Sequence, residues 1–176
     1  MQPLKIRGII FMTCTKERTP TSIEKPSPPI MKNRLTATDI VGAYVFCSDP
    51  RDPLQQEAID KLMPKNIGAW APIALFGGPI ALARQGPSLD PCCEIICHQI
   101  HFAAKNFPNF KTVILIGHDC GYYAEITEKE VLLPEKRNDI AEARRSLECK
   151  LTELGITIEI RAFFYEPDGS GFTEIK

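Results

Sequence analysis

The chain has almost no surplus charge, no bilayer-length apolar run and no regular cysteine framework, and each absence removes a class of function. Lys plus Arg number 21 against 22 Asp plus Glu, a formal net charge of -1. The basic surplus of a general nucleic-acid binder is therefore missing. Apolar stretches fall well short of the roughly 20 residues that span a membrane. Gly8–Met12 follows Lys5 and Arg7, but it is thinner than a signal-peptide core and no clean small-residue cleavage pattern follows it. Cysteines number seven, an odd count at uneven spacing, unlike a disulfide framework. Several lie inside apolar patterns, as reduced buried thiols do. The reading is a soluble protein of a reducing, cytoplasmic compartment.

What is present suffices for one domain with a real core: 176 residues, 44% of them hydrophobic. Residues 1–30 read as a flexible arm, with Pro20, Pro26, Pro28 and Pro29 among Thr, Ser, Lys and Glu. Met12 and Met31 are alternative starts within or beside it. Residues 31–176 read as a single α/β domain. Val41–Phe46 and Trp70–Phe76 are short apolar runs expected to be buried strands, and Thr112–Ile116 is a β-branched one. Ile156–Tyr165 is the last expected strand, followed by a Pro167-Asp168-Gly169 turn. Helical spacing covers Leu54–Met63, a short piece Ile80–Arg84, and Lys136–Leu154, which Gly155 closes. Another helix starts at Asp90-Pro91, with Asp90 as its cap, and ends near Asn106. Strands alternating with helices predict a mostly parallel central sheet with helices on both faces. There is no internal repeat.

Two short segments carry chemistry, each at an expected strand end, where open parallel sheets place their sites. The first is Cys47-Ser48-Asp49-Pro50-Arg51. In an extended loop Cys47, Asp49 and Arg51 share one face. A carboxylate so placed can cap a metal held by the thiolate, while the guanidinium competes for it with a two-pronged hydrogen bond. Alone, the segment reads more simply as a loop with a surface ion pair and a buried cysteine. The second is Gly117-His118-Asp119-Cys120-Gly121. His118 and Cys120 point the same way if the backbone is extended. Alone, this is also a strand-end turn capped by Asp119. Together the segments offer two sulfurs and an imidazole, a set that zinc takes readily and that leaves a fourth position open.

These residues resemble the β-class carbonic anhydrases, which carry Cys-x-Asp-x-Arg after the first core strand and Gly-His-x-Asp-Cys-Gly after a later one. Cys47, Asp49 and Arg51 meet the first pattern in full. Gly117, His118, Asp119, Cys120 and Gly121 meet the second with one residue missing. The resemblance runs in motif and element order from about residue 35 to the C-terminus. It implies that Cys47, His118 and Cys120 hold Zn2+ and that Asp49 and Arg51 form a catalytic dyad. It further implies the family's parallel-sheet fold, a homodimer or larger homo-oligomer, and reversible hydration of carbon dioxide to bicarbonate by a zinc-bound hydroxide. The departures are His-x-Cys in place of His-x-x-Cys and the absence of the family's Arg-Asn-Ala-Gly-Asn stretch. If the second motif is aligned on Asp119-Cys120-Gly121, the family's His position falls on Gly117. The expectation is that the backbone tightens, with Gly117 and Gly121 permitting it, to bring His118 in. Gly77-Gly78-Pro79 resembles a glycine-bearing loop of divergent members. Alternatives are carbon disulfide or carbonyl sulfide as substrate, a purely structural zinc capped by Asp49, and a thiol redox protein in which Cys47 meets Cys120.

Other residues read as structure. Cys93, Cys97 and His101 share one helical face, which describes a packed face more simply than a metal site. Cys92 and His98 are read in the same way. Gly77-Gly78 lacks the spacing of a phosphate loop. Tyr122-Tyr123 reads as core, and Glu135–Arg145 as a solvated helix face.

Overall fold

The computed structural model describes residues 35–48, 59–63, 67–85, 89–122 and 131–176. The expected arm and the first half of the 54–63 helix lie outside them. After a single 3-10 turn, Ala37–Asp39, come strands β1 (Ile40–Cys47) and β2 (Ala69–Leu75). Helices α1 (Ile80–Ala83) and α2 (Asp90–Asn106) precede β3 (Thr112–Gly117), and α3 (Leu133–Glu153) precedes β4 (Glu159–Tyr165) and β5 (Phe172–Ile175). The sheet order is β2-β1-β3-β4-β5. β1 pairs parallel with both β2 and β3, β3 pairs parallel with β4, and β5 returns antiparallel on β4. This is the expected mostly parallel α/β sheet.

The order follows from the side chains. β1 and β3 are apolar at nearly every position, as strands covered on both faces must be. Ala43, Val45, Val113, Leu115, Ile160, Ala162 and Phe164 bury into one core with Ile80–Leu82 of α1, Ile96 and Ile100 of α2, and Ile140, Ala143, Leu147 and Leu151 of α3. The intervening residues Ile114, Ile116 and Phe163 bury on the opposite face with Ile59 and Met63, beside the half-buried Tyr44, Phe46 and Trp70. β2 contains Pro72, which has no N–H to give a ladder, and it lies at the sheet edge, where proline is tolerated. Cys47 continues the Ala43–Val45 phase, so its sulfur faces the side of the three helices.

Two details differ from expectation. β5 was not anticipated, because Phe172–Ile175 is four residues long and half exposed. Its pairing comes from the turn after β4, where the Glu166 N–H donates to the Gly171 carbonyl at 2.9 Å. Asp90 is not a cap: Leu89 holds the cap position of α2, no side chain bonds to it, and Asp90 and Pro91 sit in the first turn.

Candidate metal centre

The site grows out of the parallel pairing of β1 with β3. The register sets Val45 beside Leu115, so the two strands end side by side. β1 delivers Cys47 as its last residue, and β3 ends at Gly117, just before His118. The chain then folds back at once, the Cys120 N–H donating to the His118 carbonyl at 2.8 Å. A bond across two residues is the smallest turn a backbone makes, and it brings Cys120 back beside His118. The tight turn therefore lies in His118–Cys120, and Gly117 leads into it without a positive φ. Gly117 is needed for a different reason. A Cβ there would lie 2.4 Å from Cγ1 and 2.5 Å from Cδ1 of Ile140 on α3, so a side chain at that position would have to displace Ile140.

One ligand atom from each of Cys47, His118 and Cys120 lies within 4.8 Å of the others, and all three residues are buried. The sulfurs of Cys47 and Cys120 are 3.4 Å apart. Each accepts a backbone hydrogen bond, Cys47 from the Gly77 N–H at 3.3 Å and Cys120 from the Tyr122 N–H at 3.4 Å. Nε2 of His118 is buried without a hydrogen-bond partner. The hydrogen bond to the Cys47 thiol, and then burial, push Cys120 up to about 12, while the His118 imidazole and the Tyr122 N–H pull the other way. Two thiols sharing a buried space resist ionising together unless a cation neutralises them.

Those properties fit zinc. Bonds of about 2.3 Å to sulfur and 2.0–2.1 Å to nitrogen in a tetrahedron set the donors roughly 3.5–3.8 Å apart, so the sulfurs need to part by only a few tenths of an ångström. A metal would also take a nitrogen of the buried His118 ring and let both thiols ionise. Asp49 and Arg51 lie outside the described residues. Asp119 turns away from the cluster, exposed and paired with Lys136 of α3.

Sequence reasoning missed the donors around the sulfurs. Gly77 and Gly78 take φ values of +76 and +56, the left-handed region that only glycine enters without strain. The turn after β2 thereby folds over the end of β1: a Cβ at Gly78 would lie 2.6 Å from the Cys47 nitrogen. Two adjacent glycines at a strand end neighbouring the Cys47 strand were the available signal. Tyr122, expected as core, is half-buried against it, with its ring 6.4 Å from that of Phe76. Tyr123 lies outside the described residues.

The helical cysteines assemble no second centre among the described residues. Cys92, Cys93 and Cys97 are partly buried and pack against the core. Burial, and then Cys93, raise Cys97 to about 11. His98 lines an apolar cleft of about 230 Å³ with Ala43, Ile73, Phe102 and Phe107, and none of the three clustered residues borders it.

No protein-family model matches the chain, and no curated protein matches it. Solved structures similar to it include the β-carbonic anhydrase CafD of the filamentous fungus Aspergillus fumigatus. That likeness has 11% identity and a TM-score of 0.48, over 85% of this chain and 95% of that one. A tetrameric β-carbonic anhydrase of the filamentous ascomycete Sordaria macrospora is similar at 15% identity, with a TM-score of 0.42, over 78% of this chain and 81% of that one.

Proposed function

We propose that this protein is a zinc-dependent lyase that hydrates carbon dioxide reversibly to bicarbonate. The observation that carries the reading is the convergence of Cys47, His118 and Cys120, from two segments 73 residues apart, into one buried three-donor cluster. A bound zinc would lower the pKa of a water and supply a hydroxide nucleophile near neutral pH. Cys47, Cys120 and His118 would hold it, the Gly77 and Tyr122 N–H groups tempering the charge on the two sulfurs. Asp49, two residues beyond Cys47, would accept a hydrogen bond from the reacting water and so orient it. Arg51 would hold the Asp49 carboxylate in that task and away from the metal. Two thiolates weaken a Lewis acid relative to an all-imidazole shell, so activity should rise toward alkaline pH.

The reading includes a homodimer or larger homo-oligomer in the cytoplasm, where thiol ligands stay reduced. Ile67, Phe76 and Phe102 are large apolar side chains exposed in the single chain, which supports assembly. The direct test is stopped-flow carbon dioxide hydration by the zinc-loaded protein. The account predicts hydration above the buffer rate that Cys47→Ser abolishes. Zinc-loaded protein with no hydration at any pH from 7 to about 9 would overturn the enzymatic reading.

A further inference from the structure

The separation of the two sulfurs points to a second chemistry. At 3.4 Å, Cys47 and Cys120 stand between the roughly 3.8 Å that a shared zinc imposes and the ~2.05 Å of a disulfide. They approach across the ends of two adjacent parallel strands. Closure requires the side chains to move together by about 1.4 Å.

We propose that Cys47 and Cys120 form a dithiol–disulfide couple, closed by a peroxide whenever the metal is absent. Its consequence for zinc rests on the metal reading above, but the couple itself rests on the sulfur geometry. In the first step one sulfur attacks a peroxide oxygen. The O–O bond breaks, a sulfenic acid forms and one water leaves. In the second step the other sulfur attacks the sulfenic sulfur. The S–O bond breaks, the S–S bond forms and a second water leaves. Two thiols lose two electrons, hydrogen peroxide gains them, and both thiol protons end in the waters. With its partner sulfur already in contact, the sulfenic acid is trapped before further oxidation. Burial of both residues, each 2% exposed, excludes bulky oxidants and selects a small one.

Metal and disulfide exclude each other. Zinc needs both sulfurs as thiolates, whereas a disulfide consumes the charge on both and leaves His118 as the one donor of the cluster unchanged. The metal in turn protects the sulfurs, since their lone pairs are engaged. The site is therefore expected to read oxidation only when emptied.

The test treats the full chain, zinc-free and zinc-loaded in parallel, with hydrogen peroxide, then alkylates free thiols and maps peptides by mass spectrometry. The zinc-free protein is expected to lose two of its seven thiols first as a Cys47–Cys120 linked peptide. It should lose zinc uptake with the same time course and regain both properties with dithiothreitol. The zinc-loaded protein should form the link at least about ten times more slowly. A variant with Cys92, Cys93, Cys97 and Cys149 replaced by Ser should behave alike. Cys47 and Cys120 staying reduced, or ending separately as sulfinic acids, while other cysteines oxidise overturns the couple. A link that forms in protein which never takes zinc sustains the couple and sinks the metal reading. Zinc uptake without any link does the reverse.

Discussion

His118 reaches the cluster because the chain bends immediately after it. The Cys120 N–H to His118 carbonyl bond leaves the imidazole buried beside the sulfurs with Nε2 unsatisfied. An uncompensated buried polar atom costs about 1–3 kcal/mol. Replacing Cys47 or Cys120 by Ser should each lose most bound zinc, since a neutral hydroxyl is a poor ligand. Elemental analysis checks this, and full zinc in both variants would exclude the assignment. Arg51→Ala should keep its zinc and lose hydration, because the freed Asp49 carboxylate would cap the metal. An active Arg51→Ala protein would remove that role. The thiol pair also predicts a pH dependence. Cys120 is raised from an ordinary 9.0 to about 12 in the metal-free fold. Its stabilising contribution is therefore complete below pH 9 and is lost as pH rises through that interval, because the unfolded chain ionises first. Urea midpoints of zinc-free protein should fall between pH 9 and about 12, and fall less for Cys120→Ser. Equal slopes would refute the coupling.

At the scale of elements, α3 presses on the end of β3. Ile140 occupies the space a side chain at Gly117 would need. Gly117→Ala should cost about 1–3 kcal/mol by overpacking, and Ile140→Ala in the same chain should recover part of that loss. A double-mutant cycle measures the coupling, and strict additivity would show that the two do not compete for space. The turn after β2 behaves differently, since Gly78 meets backbone and not a flexible side chain. Gly78→Ala combines a strained φ with a 2.6 Å approach to the Cys47 nitrogen. It should lower both stability and zinc affinity, read by thermal melts with and without metal. A variant that melts early yet binds zinc normally would separate the turn from the site. These elements also show what was legible in the sequence. β1, β3 and their two motifs announced themselves, because doubly covered strands are apolar throughout and the three clustered residues sit at or just beyond their ends. The short β5 did not, because its place depends on pairing with β4 and not on its own pattern. Nor did the hydrogen bonds to sulfur, because main-chain donors leave no residue-type signature beyond the two glycines that permit the turn.

At the scale of the whole molecule, Cys47 and Cys120 belong to the same buried core as the inner faces of the three helices. Ile140, Leu147 and Leu151 anchor α3, and Leu147→Ala should cost about 2–5 kcal/mol, checked by urea unfolding. A cost below ~1 kcal/mol would mean that α3 is not held by this core. Light scattering should give a mass at least twice the 19.7 kDa of one chain, and a monomer at all concentrations would contradict the proposed assembly. The central claim is that Cys47, His118 and Cys120 hold one zinc at the ends of β1 and β3. X-ray absorption at the zinc edge of the loaded protein tests it most directly. The account predicts one zinc per chain with two sulfurs at about 2.3 Å, an imidazole nitrogen at about 2.0–2.1 Å and one further light atom, the imidazole signal vanishing in His118→Ala. A shell without sulfur, or one unchanged by His118→Ala, would contradict it.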